Sequence, residues 1–131
     1  MKVLLVEDDF INRKILLTYF YKQGEYECDV ASNGSEAIEA FMLAKEADKP
    51  YDLILLDIMM PEMNGLEALK RIRIIEESQQ GLAATRIVMT TALKDSDNIM
   101  GAFRHQCDGY LVKPIDFNKL RELLSELKLV V

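Results

Sequence analysis

No apolar run in this sequence approaches the ~20 residues that a helix needs to cross a bilayer. There are only two cysteines and one histidine in 131 residues. Each shortage removes a class of function. Met1-Lys2 leads straight into Val3-Leu4-Leu5-Val6, too short for the core of a signal peptide and without a cleavage site. The expectation is a cytoplasmic protein. Cys28 and Cys107 lie far apart with no CxxC spacing, so they read as reduced, small, mostly buried side chains rather than a disulfide framework. The lone His105 cannot build a zinc site, which wants several His or Cys ligands. Positive charge is also short: the net charge of −6 argues against binding nucleic acid, which rests on cationic contacts to phosphate. The same balance suits ordinary solubility, or an acidic pocket that holds a cation. What remains is ample for a core. Half the chain is hydrophobic, 29% is charged, and no low-complexity stretch or composition break marks a second unit. One domain over residues 1–131 is expected.

Short apolar runs alternate with longer amphipathic ones. Lys2–Val6 is apolar without alternation, as in a strand buried on both faces. Ile11, Ile15, Leu16 and Tyr19 recur at helical spacing, and Gly24 is placed to stop that helix. Tyr26, Cys28 and Val30 alternate with Glu27 and Asp29, which reads as a sheet-edge strand. Asn33-Gly34-Ser35 matches a glycosylation sequon, yet in a cytoplasmic chain it reads as a turn entering a helix. Ala37, Ile38, Phe41 and Ala44 mark that second helix, which ends before Pro50. A buried strand over 52–56 delivers Asp57 at its carboxyl end. Pro61 and Gly65 then make a stiff loop with a tight end. Asn64, with Glu67 three residues on, reads as a helix N-cap ahead of Leu66, Leu69 and Ile72. Residues 76–85 read as a loop, 86–90 as the fourth strand, 95–104 as a short helix and 109–112 as the fifth strand. Asp116 caps a last helix with Leu120, Leu123, Leu124 and Leu127 on one face. Five strand–helix units imply an α/β fold whose parallel sheet is covered on both faces.

Ligands of an open parallel sheet gather beyond the carboxyl ends of its strands. Strand one ends in Glu7-Asp8-Asp9, strand three in Asp57, strand four in Thr90-Thr91 and strand five in Lys113-Pro114. Clustered carboxylates repel and call for a cation. Oxygen ligands that leave room for water suit Mg²⁺. The acidic triplet could also be no more than a charged cap on the first helix. Adding Thr91 and Lys113 changes the balance. A hydroxyl and an ammonium facing a carboxylate and a divalent cation form a clamp for a phosphoryl group. The facing carboxylate, Asp57, can itself act as the nucleophile.

The stretches VEDDF (residues 6–10), LLDIMMPEMNG (55–65), TTA (90–92) and YLVKP (110–114) resemble the receiver domains of response regulators, the CheY-like domains of two-component signalling. The resemblance covers residues 2 to about 128. It implies a flavodoxin-like (βα)5 fold with strand order 2-1-3-4-5, an order for which CheY is itself a standard example. It also implies that Asp57 is the phospho-acceptor. Asp8 would bind Mg²⁺ directly, Glu7 directly or through water, and the main-chain carbonyl of Met59 would add a ligand. Asp9, one position beyond the acidic pair, is assigned to the helix cap. Lys113 would pair with Asp57 and then with the phosphoryl group. Thr91 would be the switch hydroxyl, and Tyr110 the aromatic ring that turns inward when Thr91 moves. The donor would be a histidine kinase or a phosphotransfer protein. The output would be a protein target on the face built by the 95–104 helix, the fifth strand and the last helix. Extra residues near 45–50 and 78–84 fall in loops away from the acidic crevice.

Three rival readings stand against this one. An aspartyl-phosphate phosphatase of the haloacid-dehalogenase type needs a second aspartate two residues after the first, and Met59 occupies that position. Met59, with Leu93, would also obstruct the path of a hydrolytic water, so self-dephosphorylation is expected to be slow. A flavodoxin needs a phosphate loop where this chain has an acidic EDD, and the GxxxxGK(S/T) loop is absent. A receiver that had lost phosphorylation would lack an acidic ligand, Asp57, Thr91 or Lys113, and all are present. The domain could act alone or be cut from a longer regulator or hybrid kinase.

Overall fold

The computed structural model describes residues 1–60, 63–78, 84–92 and 106–129. The helix expected at 95–104, Pro61, Leu93 and His105 lie outside them. The described elements are β1 (Lys2–Val6), α1 (Phe10–Gln23), β2 (Glu27–Ala31), α2 (Gly34–Glu46), β3 (Leu53–Asp57), α3 (Gly65–Glu77), β4 (Arg86–Ala92), β5 (Gly109–Lys113) and α4 (Phe117–Glu126). The five strands form one parallel sheet in the order β2-β1-β3-β4-β5. This is the expected doubly wound, flavodoxin-like arrangement.

Alternation within each strand splits the core in two. Leu4, Val6, Ile54, Leu56, Ile87 and Met89 pack on one face with Phe41 of α2 and Leu69 and Ile72 of α3. Val3, Leu5, Leu53, Leu55, Val88 and Leu111 pack on the other with Leu16 and Phe20 of α1 and Leu120 and Leu124 of α4. Side chains of this size contribute about 2 kcal/mol each when fully buried. A strand that must satisfy both layers has no polar face, so β1 and β3 lack alternation in sequence. The edge strand β2 keeps it in part: Tyr26 and Cys28 are half-buried and Glu27 and Asp29 exposed, but Val30 of the same alternating set is 47% exposed.

Helix starts follow local chemistry. Asp9, Asn33, Asn64 and Asp116 each accept backbone N–H bonds at the starts of α1, α2, α3 and α4. The sequon asparagine is therefore a helix cap. Gly24 ends α1 at φ 69°, a left-handed conformation that glycine adopts without a Cβ clash. Other details differ from expectation, and β4 runs on to Ala92 rather than ending at residue 90. Leu16 and Tyr19 are buried, but Ile11 and Ile15 of the same periodic set are 68% and 47% exposed. Glu76 and Glu77, read as loop, complete the last turn of α3. Glu76 belongs there because its carboxylate bonds Arg73 three residues earlier and the N–H of Thr85.

Candidate functional site

The strand register sets the site. Val6 pairs with Leu56, Asp57 with Thr90, and Ala92 with Lys113, so the ends of four strands meet along one edge. Glu7 follows β1, and its N–H is held by the carbonyl of Ala31 at 3.0 Å. Asp57 is the last residue of β3, with all five β3 residues buried. The loop beyond it is pulled tight by the Gly65 N–H donating to the Ile58 carbonyl at 2.9 Å. A Cβ at Gly65 would collide with the main-chain carbonyl of Asp57. The start of α3 thus rests directly on the backbone that carries Asp57, which fixes that carboxylate in place.

The side chains converge. Glu7 and Asp57 are only 2% and 3% exposed, while Asp8 is open to solvent. Carboxylate oxygens of Glu7, Asp8 and Asp57 lie within 4.8 Å of one another. The Lys113 ammonium bridges the two buried ones, at 3.0 and 3.1 Å from the Glu7 oxygens and 3.0 Å from Oδ2 of Asp57. Oδ1 of Asp57 accepts the Met59 N–H at 3.3 Å. Asn12 donates to Glu7 Oε1 at 3.2 Å. A half-enclosed cavity of about 480 Å³ opens beside Glu7, Thr90 and Lys113 toward Leu16 and Phe117.

Among the described residues, one ammonium faces three carboxylates. Burial, and then the neighbouring Asp57, push the Glu7 carboxyl up from 4.5 to about 7, against the opposing pull of Lys113. For Lys113, burial alone would lower the pKa, but Asp57 and Glu7 outweigh it and hold the ammonium charged above its ordinary range. A further cation among these oxygens would offset that repulsion. The donors are all carboxylate oxygens, without His or Cys, and that set fits a hard divalent ion such as Mg²⁺ rather than zinc.

The other expected residues are placed less directly. Asp9 is the α1 cap, its carboxylate accepting from the N–H groups of Ile11 and Asn12. Thr91 is fully buried, and its hydroxyl donates to the Ala92 carbonyl at 3.3 Å rather than to the Asp57 carboxylate. Tyr110 is 47% exposed on β5. Met59 is 60% exposed beside the crevice. Sequence reading did not find Asn12 or Arg13. The guanidinium of Arg13 bonds the Glu7 carbonyl and Ser32 Oγ, each at 3.1 Å. Their signal was available: both sit one helical turn after the acidic triplet, facing back toward it.

This chain is similar to known proteins over most of its length. The family model for the response regulator receiver domain matches residues 3–125. The transcriptional regulatory protein ResD of Bacillus subtilis is 40% identical over 113 residues, 86% of this chain and 42% of that protein. The chain spans about half or less of the length of such curated relatives. Among solved structures, the receiver domain of Saccharomyces cerevisiae Ssk1, co-crystallised with the histidine phosphotransfer protein Ypd1, superposes with a TM-score of 0.80 at 30% identity, covering 96% of this chain and 87% of that one. The receiver domain of the Arabidopsis thaliana histidine kinase CKI1, complexed with Mg²⁺ and BeF3⁻, gives 0.82 at 28% identity, over 97% and 89%. The chain belongs to the response regulator receiver domain family.

Proposed function

We propose that residues 1–131 form a single phospho-accepting receiver domain in which Asp57 is the acceptor. The observation that carries this reading is Lys113, whose ammonium joins Asp57 to Glu7 at the carboxyl edge of the sheet. Glu7, Asp8, Asp57 and the main-chain carbonyl of Met59 would hold Mg²⁺. When bound, that ion supplies positive charge to the oxygens of a transferring phosphoryl group.

The remaining roles fall to the chain itself. A carboxylate oxygen of Asp57 attacks the phosphorus of a phosphohistidine, the nitrogen–phosphorus bond breaks, and the imidazole leaves. Lys113 moves from the Asp57 carboxylate to a phosphoryl oxygen. The Thr91 hydroxyl leaves the Ala92 carbonyl to donate to another, and the Tyr110 ring turns into the space that Thr91 vacates. The output target would dock on the face of β5, α4 and the 95–104 segment. Beyond its own phosphorylation and slow dephosphorylation the domain needs no enzymatic turnover. Met59 has no proton to transfer, which disfavours a phosphatase.

A histidine kinase or phosphotransfer protein is the proposed donor. Phe10, Ile11 and Ile15, exposed on α1 beside the crevice, support a protein partner over a purely small-molecule one. The setting would be cytoplasmic, and among the described residues no helix is long and apolar enough to cross a membrane. A receiver joined to further domains, in a larger regulator or hybrid kinase, is the second reading. It is favoured by the greater length of the relatives.

The test is intact-mass analysis after acetyl phosphate and Mg²⁺. Wild type should gain one phosphoryl group, and Asp57→Asn, nearly isosteric but not nucleophilic, should gain none. An equal mass gain on the variant would sink the assignment.

A further inference from the structure

The Glu7 carboxylate is gripped from a side that the phosphoryl chemistry does not use. Asn12 sits in the first turn of α1, and its Nδ2 donates to Glu7 Oε1 at 3.2 Å. That same oxygen accepts from Lys113 at 3.0 Å, and Oε2 accepts from Lys113 at 3.1 Å. The main chain of Glu7 is pinned too, its carbonyl by Arg13 at 3.1 Å and its N–H by the Ala31 carbonyl at 3.0 Å. The Asp9 cap orients this turn by accepting the N–H of Asn12 itself at 3.2 Å. Glu7 is thus fixed at both ends, and Asn12 is its one neutral side-chain donor among the described residues.

We infer that Asn12 is a positioning residue, holding the Glu7 carboxylate so that it faces the cation site while Lys113 stays shared with Asp57. The inference rests on the reading that Glu7 belongs to the Mg²⁺ ligand set. Its physical basis is the residue type. Lys113 serves two carboxylates, and a Glu7 side chain without a second donor is held by the ammonium alone and free to pivot about it, away from the cation site. An arginine or lysine at position 12 would also hold Glu7, but its charge would oppose the incoming cation. An amide satisfies the oxygen and leaves the charge of the site unchanged. Hydrogen bonds of this supporting kind orient metal ligands, and losing one weakens metal affinity. Asn12 is exposed, so replacing it removes no core packing.

The experiment compares Mg²⁺ binding by calorimetry in wild type, Asn12→Leu and Asn12→Gln, with urea unfolding of the metal-free proteins. The Asn12 side-chain amide is followed by ¹⁵N NMR during the titration. Asn12→Leu should weaken Mg²⁺ about tenfold, the lower end for such a group given the long bond, with the metal-free unfolding midpoint unchanged. Asn12→Gln should recover part of the affinity. The wild-type amide resonance should move as Mg²⁺ is added. Phosphorylation of Asn12→Leu by acetyl phosphate should be slow at low Mg²⁺ and match wild type at saturation. Affinity of the Leu variant within about twofold of wild type would overturn the inference alone. Parallel loss of unfolding midpoint and Mg²⁺ affinity in both variants would overturn it by showing a merely structural role. A wild type that binds no Mg²⁺ would bring down this inference together with the metal reading beneath it.

Discussion

Two charged clusters sit at opposite ends of one sheet, and they are built to opposite rules. At the amino ends of β4 and β5, Arg73 of α3 bonds Glu76 at 2.5 Å, Asp108 at 3.1 Å, and the carbonyls of Thr85 and Gln106. Arg86 takes the other oxygen of Asp108 at 3.1 Å. The spare valences of the carboxylates go to the backbone: Glu76 accepts the Thr85 N–H, and Asp108 the Ile87 N–H. Two guanidinium groups meet two carboxylates, and the directional bonds close on themselves. At the carboxyl ends, among the described residues, one ammonium faces three carboxylates and bonds only the two buried ones. A cluster that balances its own charge stabilises a fold. A cluster that leaves negative charge unbalanced in a buried place costs stability, and that cost is the drive to take up a cation.

The largest effect expected from this contrast comes from breaking the balanced end. Arg73→Ala leaves Glu76 and Asp108 without their shared partner in a site where both side chains are mostly buried. Loss of one member of such a network costs about 3 kcal/mol. Urea denaturation should show the midpoint falling with no change in Mg²⁺ affinity. A loss below about 1 kcal/mol, the worth of an exposed pair, would place this network among surface ion pairs.

The unbalanced end should respond with the opposite sign. In metal-free protein Glu7→Gln removes a buried carboxylate whose ionisation the fold resists, so stability at pH 8 should rise, by about 1–3 kcal/mol. The pH dependence follows from the direction of the shift. The unfolded chain ionises Glu7 near 4.5, and the folded protein holds the proton to about 7. Metal-free wild type therefore loses stability as pH rises from 4.5 through 7, and Glu7→Gln should lack that slope. Saturating Mg²⁺ should flatten the wild-type slope as well. A destabilised Glu7→Gln would mean that the Lys113 and Asn12 bonds outweigh the burial of charge.

The same contrast decides what could be read from sequence. The crevice was legible because each of its groups sits at the end of an apolar run, where the parallel topology must bring strand ends together. The balanced network was not. Arg73 and Asp108 are 35 positions apart, and neither stands in a pattern that names the other. Glu76 reads as loop in the sequence for the same reason: a polar residue near a helix end looks like solvent-facing chain until its partner is known. In α1, Ile11 and Ile15 share a helical period with Tyr19, but apolar residues lie on more than one face. Contact with β1 and α4 chooses Leu16, Tyr19 and Phe20. Periodicity identifies a helix, and only packing identifies its inner face.

The smallest expected effect uses the two thiols as reporters of where the fold opens. Cys107 lies beside Arg73 and Asp108, while Cys28 sits on β2, across the sheet from that network. Burial is the leading cause that raises both thiols, Cys28 to about 11, and Arg73 partly offsets the rise at Cys107. Both should therefore react slowly with iodoacetamide at pH 8 in the folded protein, because the thiolate is the reactive form. Arg73→Ala acts on Cys107 in two directions. Loss of the nearby cation disfavours its thiolate, whereas loss of the clamp lets the β5 entry open. Opening should win, because each ~1.4 kcal/mol of lost local stability raises the open population about tenfold. Cys107 labelling should accelerate about tenfold or more while Cys28 changes less, read peptide by peptide by mass spectrometry. Equal acceleration at both thiols would show that the Arg73 cluster stabilises the whole fold and not the amino ends of β4 and β5 in particular. A slower Cys107 would show that charge, rather than opening, governs the thiol.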